Sequence, residues 1–225
     1  NMGYRPITNG CDRVNNTLTK EIASKIEEAV GLKKDSLRIP KEGEDIIDIH
    51  NHNKEIYLNK VIEEINMARN NQGNPLNIEL ADMTNREGVK KDTTVFSTAG
   101  RIVDQKGLDI FAQATEEFIE RHHGEGDLPV FYAQGVGDQV HIGQLLDVKR
   151  RIAQKYGQKA AARIVFARVF SEPGRYDGCK LMSDFTIMSS WFEPCGLVHK
   201  EIAAFSGAIP IVNKVGGLTD GLTDG

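Results

Sequence analysis

Two short stretches hold the residue types from which chemistry could be built. In the first, Gly100-Arg-Ile-Val-Asp-Gln-Lys-Gly107, two cations stand five residues apart in a turn bounded by glycines. Arg101 offers a planar fork of donors and Lys106 a compact point charge, so the pair can grip one diphosphate. Two solvated charges in a loop are the plainer account of that spacing, because charged side chains mostly stay in water. The second stretch is Ser190-Trp-Phe-Glu-Pro-Cys-Gly-Leu-Val-His-Lys-Glu201. Here Pro194 stiffens the chain and Gly196 allows close approach of backbone. A helix starting near Leu197 would leave free N–H groups that favour a phosphate. Glu193 then lies in the loop and Glu201 about one turn into the helix, so both can face one ligand. Glutamates at that spacing are common by chance in an acidic chain. The surrounding Phe-Glu-Pro-Cys-Gly-Leu makes the pair more specific.

The elements that must position these residues follow from the apolar pattern. From Thr93 onward short apolar runs alternate with helical periodicity. The runs are Thr94–Thr98, Leu128–Ala133, Arg163–Val169, Phe185–Met188 and Ile209–Val212. The intervening helices are expected over 109–119, 140–156 and 197–205. Such alternation predicts an α/β, Rossmann-like parallel sheet with helices on both faces. These sheets bind ligands at the carboxyl ends of their strands, which is where both stretches fall. The first third is more polar. Leu18, Ile22, Ile26 and Val30 recur at helical spacing, so a helix is expected over 17–30, closed by Gly31. A second is expected over about 55–70, ended by Asn70-Asn-Gln-Gly-Asn-Pro75. The chain is expected to be one domain over 1–225, with 33–92 as a helical insertion carrying no evident chemistry.

Bulk composition narrows the function classes. The 225 residues are 40% hydrophobic and 27% charged, with a formal net charge of −4, ordinary for a globular protein. No basic excess points to nucleic acid, and no run of apolar residues is long enough to span a membrane. Cys11, Cys179 and Cys195 are widely separated and read as free thiols in a reducing cytosol. No metal is expected: His50 and His52 lack a ligand pattern and read as a solvated loop. His122 and His123 fall at a helix end, where histidine suits the macrodipole. His199 is expected to be exposed in a first helical turn, and Trp191 to be wall rather than stacking platform. Cys195 at a helix start lacks the base that a catalytic thiol needs. Gly135-Val-Gly137 lacks the third glycine of a dinucleotide fingerprint and reads as a tight turn. An NAD-dependent domain would use Asp138 for the ribose, which is thin support.

The two stretches taken with their flanks resemble a known family. Residues 97–109 are similar to the diphosphate loop of starch and glycogen synthases. Residues 183–219 resemble the same family's signature more closely, through Ser-Trp-Phe-Glu-Pro-Cys-Gly-Leu, Gly-Ala-Ile-Pro-Ile-Val and Val-Gly-Gly-Leu-Thr. Ile7-Thr-Asn-Gly-Cys-Asp12 looks like the loop that enters this half from the linker. The resemblance implies the C-terminal half of a two-domain GT-B glycosyltransferase, retaining and metal-independent, with no cofactor beyond its donor, ADP-glucose or UDP-glucose. It implies that Arg101 and Lys106 neutralise the diphosphate and that Glu193 binds sugar hydroxyls. Gly100, Cys195, Gly196 and Leu197 would lie beside the donor, Glu201 would take the ribose, and Gly216 and Gly217 would shape the loop near the phosphates. It further implies a glucan acceptor bound through an N-terminal domain, and a cytoplasmic enzyme, or a plastid one in a plant. Many bacterial members carry an aromatic residue where Glu201 stands. Phe170-Ser-Glu-Pro-Gly-Arg-Tyr176 does not match the family's base-stacking loop, and packing is favoured for Phe170 and Tyr176. Both ends read as cut ends of a longer enzyme, so the piece alone is expected not to turn over substrate.

Overall fold

The computed structural model describes residues 18–69, 78–79, 92–168, 175–194 and 196–218. Helix α1 (Lys20–Val30) starts where the Thr19 hydroxyl accepts from the Ile22 amide, and stops at Gly31, whose left-handed φ of 69° lets its N–H cap the last carbonyls. Its cap is Thr19 rather than Thr17. Helix α2 (Ile46–Arg69) begins well before the expected position 55. Its buried stripe of Ile49, Asn53, Tyr57 and Val61 has helical spacing but includes an amide. Asn53 is acceptable there because it accepts from the Arg38 amide at 2.7 Å and donates to the Arg38 carbonyl at 2.8 Å. His50 and His52 therefore ride a half-buried helix, not the solvated loop expected of them.

The sheet comprises β1 (Ile78–Glu79), β2 (Val95–Ala99), β3 (Val130–Gln134), β4 (Ile164–Ala167), β5 (Phe185–Met188) and β6 (Ile209–Val212). Their order is β1-β4-β3-β2-β5-β6. All neighbours pair parallel except β1, which runs antiparallel to β4. The five parallel strands coincide, within a residue or two, with the five apolar runs. Helices α3 (Leu108–His122), α4 (Gln139–Tyr156) and the short α5 (Gln158–Ala161) cover one face. The other face is covered by α1, α2, α6 (Arg175–Met182) and α7 (Val198–Ser206).

Strand alternation divides the core in two. Val130, Tyr132, Val165 and Ala167 point to the α1/α2/α6 face, while Phe131, Ala133, Ile164 and Phe166 point to the α3/α4 face. Both faces of β3 and β4 are buried, so these strands are apolar at nearly every position. The region expected to be an insertion thus contributes Tyr57, Leu58 and Val61 to the packing under the sheet. Asp184, entering β5, ties the layers. Its carboxylate accepts from Lys54 Nζ at 2.7 Å, the Val95 amide at 2.7 Å and His50 Nε2 at 3.1 Å.

Candidate functional site

The site is built where the strands β2, β3 and β5 end. Past β2 the chain runs through Gly100 and Arg101 into a 3-10 turn, Asp104–Lys106, and then into α3. This loop lies directly on the loop after β3. The Ile102 amide donates to the Val136 carbonyl at 2.9 Å, and the Asp138 amide to the Ile102 carbonyl at 2.8 Å. A Cβ on Gly135 would stand 2.0 Å from the Gly100 carbonyl oxygen, and one on Gly137 2.0 Å from that of Ile102. That contact explains Gly135-Val-Gly137: two backbones meet there and no side chain fits between them. In the first turn of α4, His141 Nε2 meets Asp104 at 2.6 Å. Burial lowers the His141 pKa, but hydrogen bonds with Asp104 and Gln144 and the charges of Asp104 and Asp138 outweigh it, leaving the group above its ordinary value.

The second loop, after β5, is knitted to the first. Ser189 Oγ donates to the Gly107 carbonyl at 2.6 Å. Trp191 donates its amide to the Gln105 carbonyl at 2.9 Å, and Gln105 Nε2 returns a bond to the Phe192 carbonyl at 2.6 Å. Gly107 has φ of 64° and sits so close that a Cβ would lie 2.2 Å from the Ser189 carbonyl oxygen. The loop after β6 joins in, since Asn213 Nδ2 donates to the Ser189 and Ser190 carbonyls. Gln105, Ser189 and Asn213 escaped the sequence reading because their work is hydrogen bonding between loops distant in the chain, which leaves no local spacing.

These contacts bring most of the anticipated residues together. Lys106 Nζ is ion-paired with the Glu193 carboxylate, each side chain being largely buried. Ser190 Oγ also reaches that carboxylate, at 3.5 Å. Gly217 donates its amide to the Glu193 carbonyl at 2.7 Å, and a Cβ on Gly216 would lie 2.3 Å from the same oxygen. Gly196, at φ of 57°, is hemmed in by Leu218, Glu193 and His199. Arg101 is exposed and has no ion pair among the described residues. Glu201 lies apart from this knot in its contacts: its carboxylate faces the buried Lys180 ammonium at 3.8 Å. A cleft lined by Gly100, Arg101, Ile102, Lys106, Gln134 and Ser190 opens between the loops. Cys195 and Phe170 lie outside the described residues, as does the side chain of Tyr176.

Two helix starts at this rim, those of α3 and α7, suit an anion. α1 and α4 are capped by the side chains of Thr19 and Asp138. α3 and α7 begin at Gly107 and Leu197 with no side-chain cap. Their first amides therefore keep donors and partial positive charge for a ligand. Two expectations are corrected. His199 is fully buried, not exposed, and neither ring nitrogen has a hydrogen-bond partner. Burial pushes its pKa down, aided by Lys200 and opposed by Glu193, so the ring is neutral packing against Gly196. Trp191, expected to be wall, is 63% exposed. Among the described residues no group of His, Cys, Asp and Glu could hold a metal, and no helix is long and apolar enough to cross a membrane.

No family model matches the chain. A glycogen synthase from Alkaliphilus metalliredigens is 33% identical over 174 residues, which is 76% of this chain and 32% of that protein. The granule-bound starch synthase 1 of Arabidopsis thaliana is 29% identical over 137 residues, covering 61% of this chain and 20% of that protein. Among solved structures, a UDP-forming α,α-trehalose-phosphate synthase from Burkholderia xenovorans superposes with a TM-score of 0.50 at 16% identity. That match covers 57% of this chain and 31% of the other, and speaks to the fold alone. The chain spans about a third or less of the length of these relatives. Within that span, it belongs to the glycogen and starch synthase type of GT-B glycosyltransferases.

Proposed function

We propose that this chain is the donor-binding half of a retaining glucosyltransferase, moving glucose from ADP- or UDP-glucose to an α-1,4-glucan. The observation that carries it is the meeting of Lys106 with Glu193 across two βα loops, beside exposed Arg101 and the uncapped start of α7. A nucleotide sugar has a diphosphate and a hydroxyl-rich ring in one molecule, and this rim offers cations and a carboxylate side by side. Lys106 and Glu193 neutralise each other in this structure. The diphosphate gives the ammonium a second anion, and Glu193 is then available to accept from sugar hydroxyls.

In the transfer step the bond between the anomeric carbon and the phosphate oxygen breaks, and its electron pair stays on the diphosphate. The acceptor hydroxyl oxygen bonds to the anomeric carbon on the same face. Its proton passes to the leaving phosphate, so no enzymatic base is required. Negative charge grows on the diphosphate as the bond lengthens. Fixed cations at 101 and 106 and helix-start amides therefore lower the barrier more than they stabilise the ground state. The remaining sites follow the same logic. Gly100, Gly196, Gly216 and Gly217 let backbone approach the donor, and Cys195 and Leu197 line it. Glu201, with Lys180 balancing its charge, takes the ribose.

Calorimetric titration of the chain with ADP, UDP, their glucose conjugates and NAD tests this directly. Adenosine or uridine diphosphate and their glucose conjugates are expected to bind in the millimolar range, as half of a cleft should. Saturable NAD binding with none by either diphosphate would overturn the proposal.

A further inference from the structure

We propose that Trp191 and Phe192 form an aromatic platform at the rim of the site that stacks against pyranose rings of the glucan chain. Adjacent large aromatics are normally buried, where each removes roughly 150–250 Å² from water. Here Trp191 is 63% exposed and Phe192 60% exposed. Their exposure is not loop looseness. The Trp191 amide and the Phe192 carbonyl both bond Gln105, and the preceding Ser190 carbonyl is held by Asn213. Three backbone tethers to two different loops thus fix the segment while its rings stand in solvent. The ordering cost of presenting the rings is already met by the fold, and that favours binding.

The surroundings select the class of occupant. A partner protein face of apolar residues would want a wide apolar patch. The segment that carries these rings is instead polar in its bonding: the Phe192 carbonyl accepts from Gln105, and the next residue, Glu193, is ion-paired with Lys106. A pyranose is amphipathic in the same way: its axial C–H groups present an apolar face to an aromatic ring, and its hydroxyl rim bonds carboxylates and amides. A pocket that combines apolar walls with a few placed polar groups is the usual small-ligand arrangement. The platform directly precedes Glu193 in the chain, so a saccharide lying on it reaches toward the donor position. That direction rests on the function proposed above, whereas the stacking itself depends only on the exposed rings and their polar neighbours.

Trp191 is the single tryptophan of the chain, so its emission reports the platform alone. Maltoheptaose titrated into the 225-residue chain is expected to change the emission saturably, and polyethylene glycol of equal mass concentration is expected not to. Migration in amylopectin gels should show Trp191→Ala weakening glucan retention by about 10-fold or more, with Trp191→Phe within about 3-fold of the parent, as for an aromatic anchor. Binding of ADP or UDP, titrated on the same samples, is expected to be unchanged by either substitution. Nucleotide binding without any emission response to maltoheptaose overturns the platform and leaves the donor site standing. Loss of both overturns the two together. Emission that shifts with chain concentration in the absence of sugar shows the rings facing a second copy, and also overturns the platform.

Discussion

Arg101 and Lys106 stand on one turn with the same charge, yet their surroundings differ. Lys106 is held by Glu193, whereas Arg101 reaches solvent with no ion pair among the described residues. A guanidinium without an internal counter-ion contributes little to folding and is available to an arriving anion. Arg101→Ala is therefore expected to leave thermal stability within about 2 °C of the parent, since exposed substitutions stay within roughly 0.5 kcal/mol. In an assembled enzyme the same change should slow turnover by about 100- to 1,000-fold, the scale seen when one electrostatic stabiliser of a transition state is lost. Near-normal turnover would remove Arg101 from the site. Both cations were legible because glycines bracket them and a strand precedes them. The fully buried His199 was not, because its neighbours in the fold, Gly196 and Leu218, lie on a loop and a turn whose approach no local periodicity records.

Between elements, Asp184 is the joint whose chemistry is best defined. Burial raises its pKa, but hydrogen bonds from His50, Lys54 and the Val95 amide, with the charge of Lys54, outweigh that and hold it below the ordinary aspartate value. A depressed carboxylate contributes stability that is present above its unfolded pKa and is lost as pH falls through the folded one. The chain should thus weaken below about pH 4, where aspartate in an unfolded chain begins to protonate. Asp184→Asn leaves the Lys54 ammonium, 4% exposed, without its counter-ion. The expected cost is roughly 3 kcal/mol at neutral pH, the low end for uncompensated buried charge. Urea denaturation from pH 7 to pH 3 checks it: the gap between parent and variant should close toward pH 3, and a constant gap would show the joint to be packing alone. The same joint explains where sequence reading succeeded and stopped. The strands were visible as unbroken apolar runs, and α3, α4 and α7 by their period. The first half of α2 was not, because its buried face carries Asn53 and Lys54. Among the described residues those side chains bond to Arg38, 15 residues away, and to Asp184, 130 residues away.

At the scale of the whole molecule, the sheet is closed on both faces, and the two faces were not equally foreseeable. The face under α3 and α4 is made by the alternating βα segments themselves. The opposite face draws α1 and α2 from the polar first third, with α6 and α7 from the far end of the chain. This second layer backs the strands whose carboxyl ends carry the candidate site. Tyr57 is fully buried in it, with Leu58 and Val61 beside it and Tyr132 of β3 in the same cluster. Truncating it leaves a cavity that close packing cannot refill, so Tyr57→Ala is expected to cost roughly 3–5 kcal/mol, as large aromatic deletions in cores do. For a domain of this length each kcal/mol moves the melting midpoint by about 2–4 °C, so a fall of roughly 6–20 °C by calorimetry is expected. If the first-third helices formed a separate unit beside the sheet, the thermogram would instead split, with a low transition for α1–α2 and an unshifted one for the sheet. A single cooperative transition displaced as a whole is the outcome that a shared core requires, and nucleotide binding should disappear with it at the same temperature.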